Sequence, residues 1–144
     1  MNFPKRIVIG SDHAGFDYKE AIKMYLKKNQ IECVDVGTNN LDSCDYPDYA
    51  HAAAHEIENG AVEFGILICG SANGVAITAN KHQKVRAALC WQNEIVSLAR
   101  QHNDANIICL PARFVTIDEA EEMVRAFLTT DFEGGRHQRR VEKI

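Results

Sequence analysis

Phe64–Gly74 reads FGILICGSANG. Its opening run, FGILIC, is the most continuous apolar stretch in the chain. A short run without polar alternation is what a strand covered on both faces requires. The small and polar residues of CGSANG then break it, and Asn73–His82 resumes at helical spacing. A buried strand that passes through a tight turn into a helix is the central step of an α/β unit.

The same alternation extends outward in both directions. Upstream, Arg6–Gly10 (RIVIG) is apolar and β-branched and ends in polar SDHAG; Phe16–Lys28 then places Phe16, Ala21, Ile22, Tyr25 and Leu26 at helical spacing. Ile31–Val36 is a short strand, Gly37–Asp48 a loop rich in Asn, Asp and Ser, and Tyr49–Ile57 an Ala-rich helix. Downstream, Val85–Cys90 and Ile107–Leu110 read as strands on either side of a helix over Asn93–Gln101. Ile117–Leu128 is an amphipathic helix opened by Thr116 with Glu119 three residues on, a capping box. The pattern predicts an α/β chain: a single Rossmann-like, three-layer domain over residues 1–144, with a five-stranded parallel sheet and right-handed crossovers. Residues 131–144, DFEGGRHQRRVEKI, lie outside the alternation, too polar for a sixth strand, and form a basic C-terminal extension.

A chain of 144 residues can bury a core without staples. Its 46% hydrophobic and 25% charged residues match ordinary globular proteins rather than a disordered or fibrous chain. A net charge of −4 argues against a general nucleic-acid binder, which needs a broad basic face. No apolar run approaches the roughly 20 residues that span a bilayer. The apolar stretch near the N-terminus is too short for a signal-peptide core. Cys33, Cys44, Cys69, Cys90 and Cys109 are odd in number, form no CxxC pair, and several lie inside apolar runs. That pattern leads us to expect a reducing cytoplasm, with no disulfide framework and no zinc site.

In open α/β sheets, ligands gather at the carboxyl ends of the strands near the switch in strand order. The rule groups SDHAG after the first strand, CGSANG after the third and RQHNDAN before the fifth, and these are expected to fall towards one edge of the sheet. In CGSANG, successive backbone N–H groups can converge on an anion, Ser71 adds a hydroxyl, and the thiolate of Cys69 should be stabilised. The same residues also suit an ordinary strand-to-helix turn with a buried cysteine. It is neither a Walker loop nor GxGxxG. Asp12 and His13 follow the first strand; Ser11 can cap the next helix as well as Asp12 can, which leaves Asp12 free for ligand work. His102, Asn103 and Asp104 suit either proton transfer near neutrality or a plain helix end. Gly134-Gly135 leads into Arg136, His137, Arg139 and Arg140, either a phosphate clamp or a solvated tail. His51 and His55, at i and i+4, offer a metal pair. HAAAHE is not HExxH, no third ligand is evident, and they read as a helix face. Trp91, His82 and Met123 carry no functional signal.

Taken together, GSDHAGF (10–16), DYPDYA (45–50), GILICGSANG (65–74), TANKH (78–82), RQHNDANII (100–108) and FEGGRHQRRV (132–141) resemble the type B ribose-5-phosphate isomerase family. The related galactose-6-phosphate isomerase subunits share that fold. The match runs in order over nearly the whole chain. The resemblance implies interconversion of ribose 5-phosphate and ribulose 5-phosphate without metal or nucleotide cofactor. It implies that Cys69 is the base, moving a proton between C2 and C1 through a cis-enediolate. Ser71 and the N–H groups of Gly70, Ala72, Asn73 and Gly74 would hold the developing oxyanion. His102 would open the furanose ring, and Asp12 would bind and polarise sugar hydroxyls. His13, Arg136 and Arg140 are implied on the phosphate side, and Tyr46, Asn103 and Arg113 as further substrate contacts.

The family's homodimers place sites at the subunit interface, with the His102 and arginine segments coming from the partner; a dimer of dimers is a further possibility. Relatives that use a Glu base carry it where this chain has Val75, so the cysteine variant is implied here. The chain departs from the family at Ala72 and Pro111, both usually Gly. A positive φ at Ala72 would cost roughly 1–2 kcal/mol; a negative φ would leave a methyl narrowing the pocket. Pro111 is expected to shift Arg113 slightly. An isomerase of a six-carbon sugar phosphate, such as allose or galactose 6-phosphate, and a sugar-phosphate-binding regulator without turnover are the competing readings.

Overall fold

The computed structural model describes residues 2–144. Parallel strands β1 (Arg6–Ser11), β2 (Glu32–Asp35), β3 (Gly65–Cys69), β4 (Ala87–Leu89) and β5 (Ile107–Pro111) form one sheet in the order β2-β1-β3-β5-β4. The helices are α1 (Phe16–Lys28), α2 (Tyr46–Glu58), α3 (Asn73–Ala79), α4 (Asn93–Asn103), α5 (Ile117–Thr129) and α6 (Arg136–Val141).

Handedness assigns each helix to a face. The chain steps outward from β1 to β2, back across β1 to β3, onward to the edge at β4, then inward to β5. Right-handed crossovers put α1 and α4, which accompany steps in one direction, on one face and α2 and α3 on the other. The core obeys this partition. Ile7, Ile9, Ile66, Ile68, Ile108 and Leu110 pack against Ile22 and Leu26 of α1, Val96 of α4 and Phe127 of α5. Val8, Leu67, Cys69, Ile107 and Cys109 pack against alanine-rich α2 and α3, through Ala50, Ala53, Ala54, Ala76 and Ala79. Every residue of β3 is buried, as its unbroken apolar run predicts.

Element ends depart from the sequence reading for local reasons. α2 begins at Tyr46 rather than Tyr49, because Pro47 sits in its first turn, where a missing N–H and a fixed φ are tolerated. α3 stops at Ala79, short of His82, and α4 continues to Asn103, where Asp104 takes a left-handed conformation and ends it. Thr116 and Glu119 form the expected capping box on α5. Beyond α5, Gly134 and Gly135 both adopt positive φ (66° and 54°) and turn the chain into α6.

Two buried cations brace the molecule. Lys19 is fully buried, with Nζ 2.6 Å from Asp35 Oδ2 and 3.3 Å from Glu20 Oε2. Asp35 in turn accepts the Gly37 N–H, which holds the chain beside the end of β1. Arg100 donates to the carbonyls of Thr130 and Ala105 and to Asp104, while its guanidinium lies 4.9 Å from the Phe64 ring centroid. It fastens α4 to the end of α5.

Candidate active site

β1 and β3 are neighbours whose onward connections leave in opposite directions, which makes the gap between their carboxyl ends the switch point. A cleft of about 510 Å³ opens there, lined by Asp12, His13, Ala14, Tyr46, Cys69, Gly70, Ser71, Gly74, Arg113 and Phe114. Each comes from a strand end or the turn that follows one, except Tyr46 and Gly74, which sit in the first turns of α2 and α3. Gly70 is small for a reason: a Cβ there would press on the Arg113 side chain at 3.2 Å from Nε. Arg113 and His13 give the cleft its basic groups, and His13 Nδ1 accepts the Cys44 N–H at 3.3 Å.

Cys69 closes β3 and is 5% exposed. Burial raises its thiol above the ordinary value, and the nearby Asp12 charge adds to this. The N–H groups of Val75, Ala72 and Ser71 pull the other way. The expectation of a stabilised thiolate is therefore corrected: the loop does aim donors at the sulfur, but desolvation outweighs them. Ser71 Oγ accepts from Asn73 through both its backbone N–H (3.4 Å) and its side chain (3.2 Å), tying the turn to the start of α3. Asn73 sits on the outer rim, in a neighbouring groove towards Trp91.

The sequence reading held Asp12 spare and Ser11 able to cap in its place; in the structure Asp12 itself is the cap. Its Oδ1 accepts the Gly15 N–H at 3.2 Å and caps a short 3-10 turn, leaving Oδ2 for other partners. Ser11, the alternative cap, points into the interior, and its Oγ has no hydrogen-bond partner among the described residues. Ala72 adopts φ 64°, the strained branch of the expectation. Its methyl is fully buried in the α2–α3 layer and does not line the cleft. Pro111 pairs in register with Cys69 at the end of β5, and the ladder continues past it, Ala112 N–H donating to the Cys69 carbonyl at 2.9 Å.

The grouping of His102 and Asn103 with the cleft segments is the larger correction. These two residues end α4 just before β5 begins, and in a parallel sheet a segment preceding a strand lies at the amino ends, opposite the cleft. From Ile107 to Pro111 the strand alone separates the two ends by about 13 Å. There His102 stacks on His137 of α6, ring centroids 4.1 Å apart at 12°. Desolvation, with His102 and Arg136 alongside, holds His137 below the ordinary histidine value. Exposed Arg136 and Arg140 share that helix. The candidate residues thus form two groups at opposite ends of the sheet. Sequence reasoning missed Ala14 and Phe114; an isolated Phe after an arginine reads as core, yet this one is 74% exposed. A smaller groove of about 310 Å³ beside Trp91 is lined by Asp118, Glu119 and Glu122 and has no cation for an anionic ligand.

Fold and cleft together define a small-molecule site of the doubly wound α/β class, with a thiol and an arginine at the switch point. A model of the Ribose/Galactose Isomerase family matches residues 7–144. The chain is 47% identical over 140 residues to a probable ribose-5-phosphate isomerase B of Mycoplasma genitalium, covering 96% of this chain and 92% of that protein. It is 42% identical over 140 residues to ribose-5-phosphate isomerase B of Escherichia coli, covering 97% and 94%. A crystal structure of a ribose 5-phosphate isomerase from Thermotoga maritima matches with TM-score 0.94 at 46% identity, covering 96% of this chain and 95% of that one. The Mycoplasma genitalium enzyme with bound ribulose-5-phosphate matches with TM-score 0.92 at 46% identity, covering 96% and 92%. This chain belongs to the ribose/galactose isomerase family.

Proposed function

We propose that the chain is an aldose–ketose isomerase that interconverts ribose 5-phosphate and ribulose 5-phosphate, and that it works as a homodimer with composite sites. Family membership and the ribulose-5-phosphate bound by a relative support the substrate class. One observation carries the composite site. The thiol group lies at the carboxyl end of the sheet and the His102 group at the amino end, so a single chain cannot bring them to one sugar.

In this reading Cys69 takes the C2 proton and returns it at C1, while loop N–H groups and Ser71 stabilise the enediolate oxygen. Asp12 uses its free oxygen on a sugar hydroxyl. His102 of the partner subunit opens the ring, the partner's Arg136 and Arg140 join His13 around the phosphate, and Arg113 contacts the substrate elsewhere in the cleft. The basic residues of 131–144 then lie at the subunit interface rather than in a solvated tail. Ala72 gives no reason to favour a six-carbon substrate, because its methyl is turned into the core.

The test is complementation between two defective chains. Cys69→Ala and His102→Ala should each abolish or cripple turnover of ribose 5-phosphate. Mixed and allowed to exchange subunits, they should recover about a quarter of wild-type activity, since half the dimers are mixed and each holds one intact site. No recovery, despite verified exchange, would refute the composite site. Faster turnover of six-carbon phosphates would reassign the substrate.

A further inference from the structure

A second cluster lies away from the cleft, towards the far end of α2. His51, His55 and Glu58 fall four and three residues apart and share one helical face, with His55 about 14 Å along the axis from Tyr46. The chain returns to them at His82, in the turn after α3. His82 Nδ1 lies 2.6 Å from Glu58 Oε1, and its Nε2 lies 2.7 Å from His51 Nδ1. His55 Nδ1 stands 3.7 Å from the same carboxylate oxygen. One ligand atom from each of His55, Glu58 and His82 lies within 4.8 Å of the others.

We propose that His55, Glu58 and His82 bind a divalent transition metal of the zinc class, with His51 orienting His82. Around a tetrahedral zinc with bonds of about 2.0–2.1 Å, neighbouring ligand atoms stand roughly 3.4 Å apart. The observed separations of 2.6 and 3.7 Å bracket that value, so small side-chain rotations admit the ion. Two imidazoles and one carboxylate suit zinc, nickel or copper rather than calcium or magnesium. The His55 side chain is 68% exposed, which leaves the fourth position to water. Binding exchanges tautomers without net proton loss. His82 moves its proton from Nδ1, where it faces Glu58, to Nε2, where it donates to His51. His51 carries its own proton on Nε2, and the freed Nδ1 lone pair of His82 takes the metal. A ligating histidine held through its other nitrogen is the usual outer-shell arrangement. The spacing of His51 and His55 was legible in the sequence, with Glu58 on the same helix; the member that completes the group was not, because His82 comes from a different α/β unit. The ion would tie the end of α2 to the turn after α3, and none of its ligands lines the cleft.

The experiment is calorimetric titration of the chelator-stripped full chain with zinc chloride alone, read as a difference between variants. The difference is needed because His102, Glu133 and His137 form another trio that can take up zinc. His55→Ala and Glu58→Gln should each remove one equivalent of zinc or weaken it more than about tenfold, while His137→Ala keeps that equivalent. His51→Gln should weaken it about 10–100-fold without abolishing it. Zinc should also raise the Tm of His137→Ala and fail to raise that of a His55→Ala, His137→Ala double variant. Unchanged stoichiometry and affinity in both His55→Ala and Glu58→Gln, or no uptake by the wild-type chain, would overturn the proposal.

Discussion

Burial, with the Asp12 charge beside it, pushes the Cys69 thiol above its ordinary value, against three backbone N–H groups that favour the thiolate. Only the thiolate is nucleophilic or basic. Alkylation of Cys69 by iodoacetamide should therefore go on accelerating as pH rises past the ordinary thiol value of 9.0, approaching tenfold per unit. Turnover, measured as kcat/KM, should show the same rising limb, and a plateau already reached at pH 8 would contradict the raised value. Ala72 makes a second prediction. Left-handed φ costs a non-glycine residue about 1–2 kcal/mol, and glycine returns about 0.4–1 kcal/mol of that as extra unfolded-state entropy. Loss of the buried methyl takes back about 0.8 kcal/mol more, so Ala72→Gly should leave the stability in urea denaturation within about 1 kcal/mol of the parent, where Gly in an unstrained helix or strand would cost clearly more. At this scale CGSANG was legible as a strand-to-helix turn that carries Cys69 and Ser71 into the cleft, because such a turn is built from local residue types. The choice of capping residue was misread, Asp12 rather than Ser11 taking that place. Two adjacent residues can each cap a turn, and what decides between them is that Ser11 points into the core.

Among the elements, α5 is the one whose start is written most fully in its own residues. Thr116 Oγ1 accepts from Glu119 N–H and Glu119 Oε1 accepts from Thr116 N–H, each at 3.1 Å. Thr116→Ala removes the first bond and should cost about 1 kcal/mol in thermal or urea unfolding. Strands and helices were legible wherever period and length agreed, most clearly in β3 and α1. Ends were less so: α2 begins early on Pro47, and β4 spans only Ala87–Leu89 within a longer apolar run. The grouping of His102 with the segments that follow strands failed for a topological reason. Local residue types do not say that a segment before a parallel strand sits at the opposite end from one that follows it. Parallel pairing alone says so.

For the molecule as a whole, the strand order was the least legible feature, since β5 inserts between β3 and β4 through contacts far apart in sequence. One electrostatic brace spans that architecture. Burial alone would raise the pKa of Asp35, but hydrogen bonds from Lys19, Lys23 and Gly37 outweigh it and hold the carboxyl below its ordinary value of 3.8. A depressed carboxylate contributes stability that is present above its unfolded value and lost as pH falls through the folded one. The urea midpoint should fall steeply below about pH 4. Asp35→Asn should be about 3 kcal/mol less stable at pH 7, since Lys19 loses its closest partner, and should show a shallower acid decline. The two ends of the sheet carry a different consequence. If half of each site is borrowed from a second chain, specific activity is not constant but falls with dilution, becoming second order in protein once concentration drops below the dissociation constant of the pair. A serial dilution assay should show that curvature, and adding the inactive Cys69→Ala chain should rescue a dilute wild-type sample.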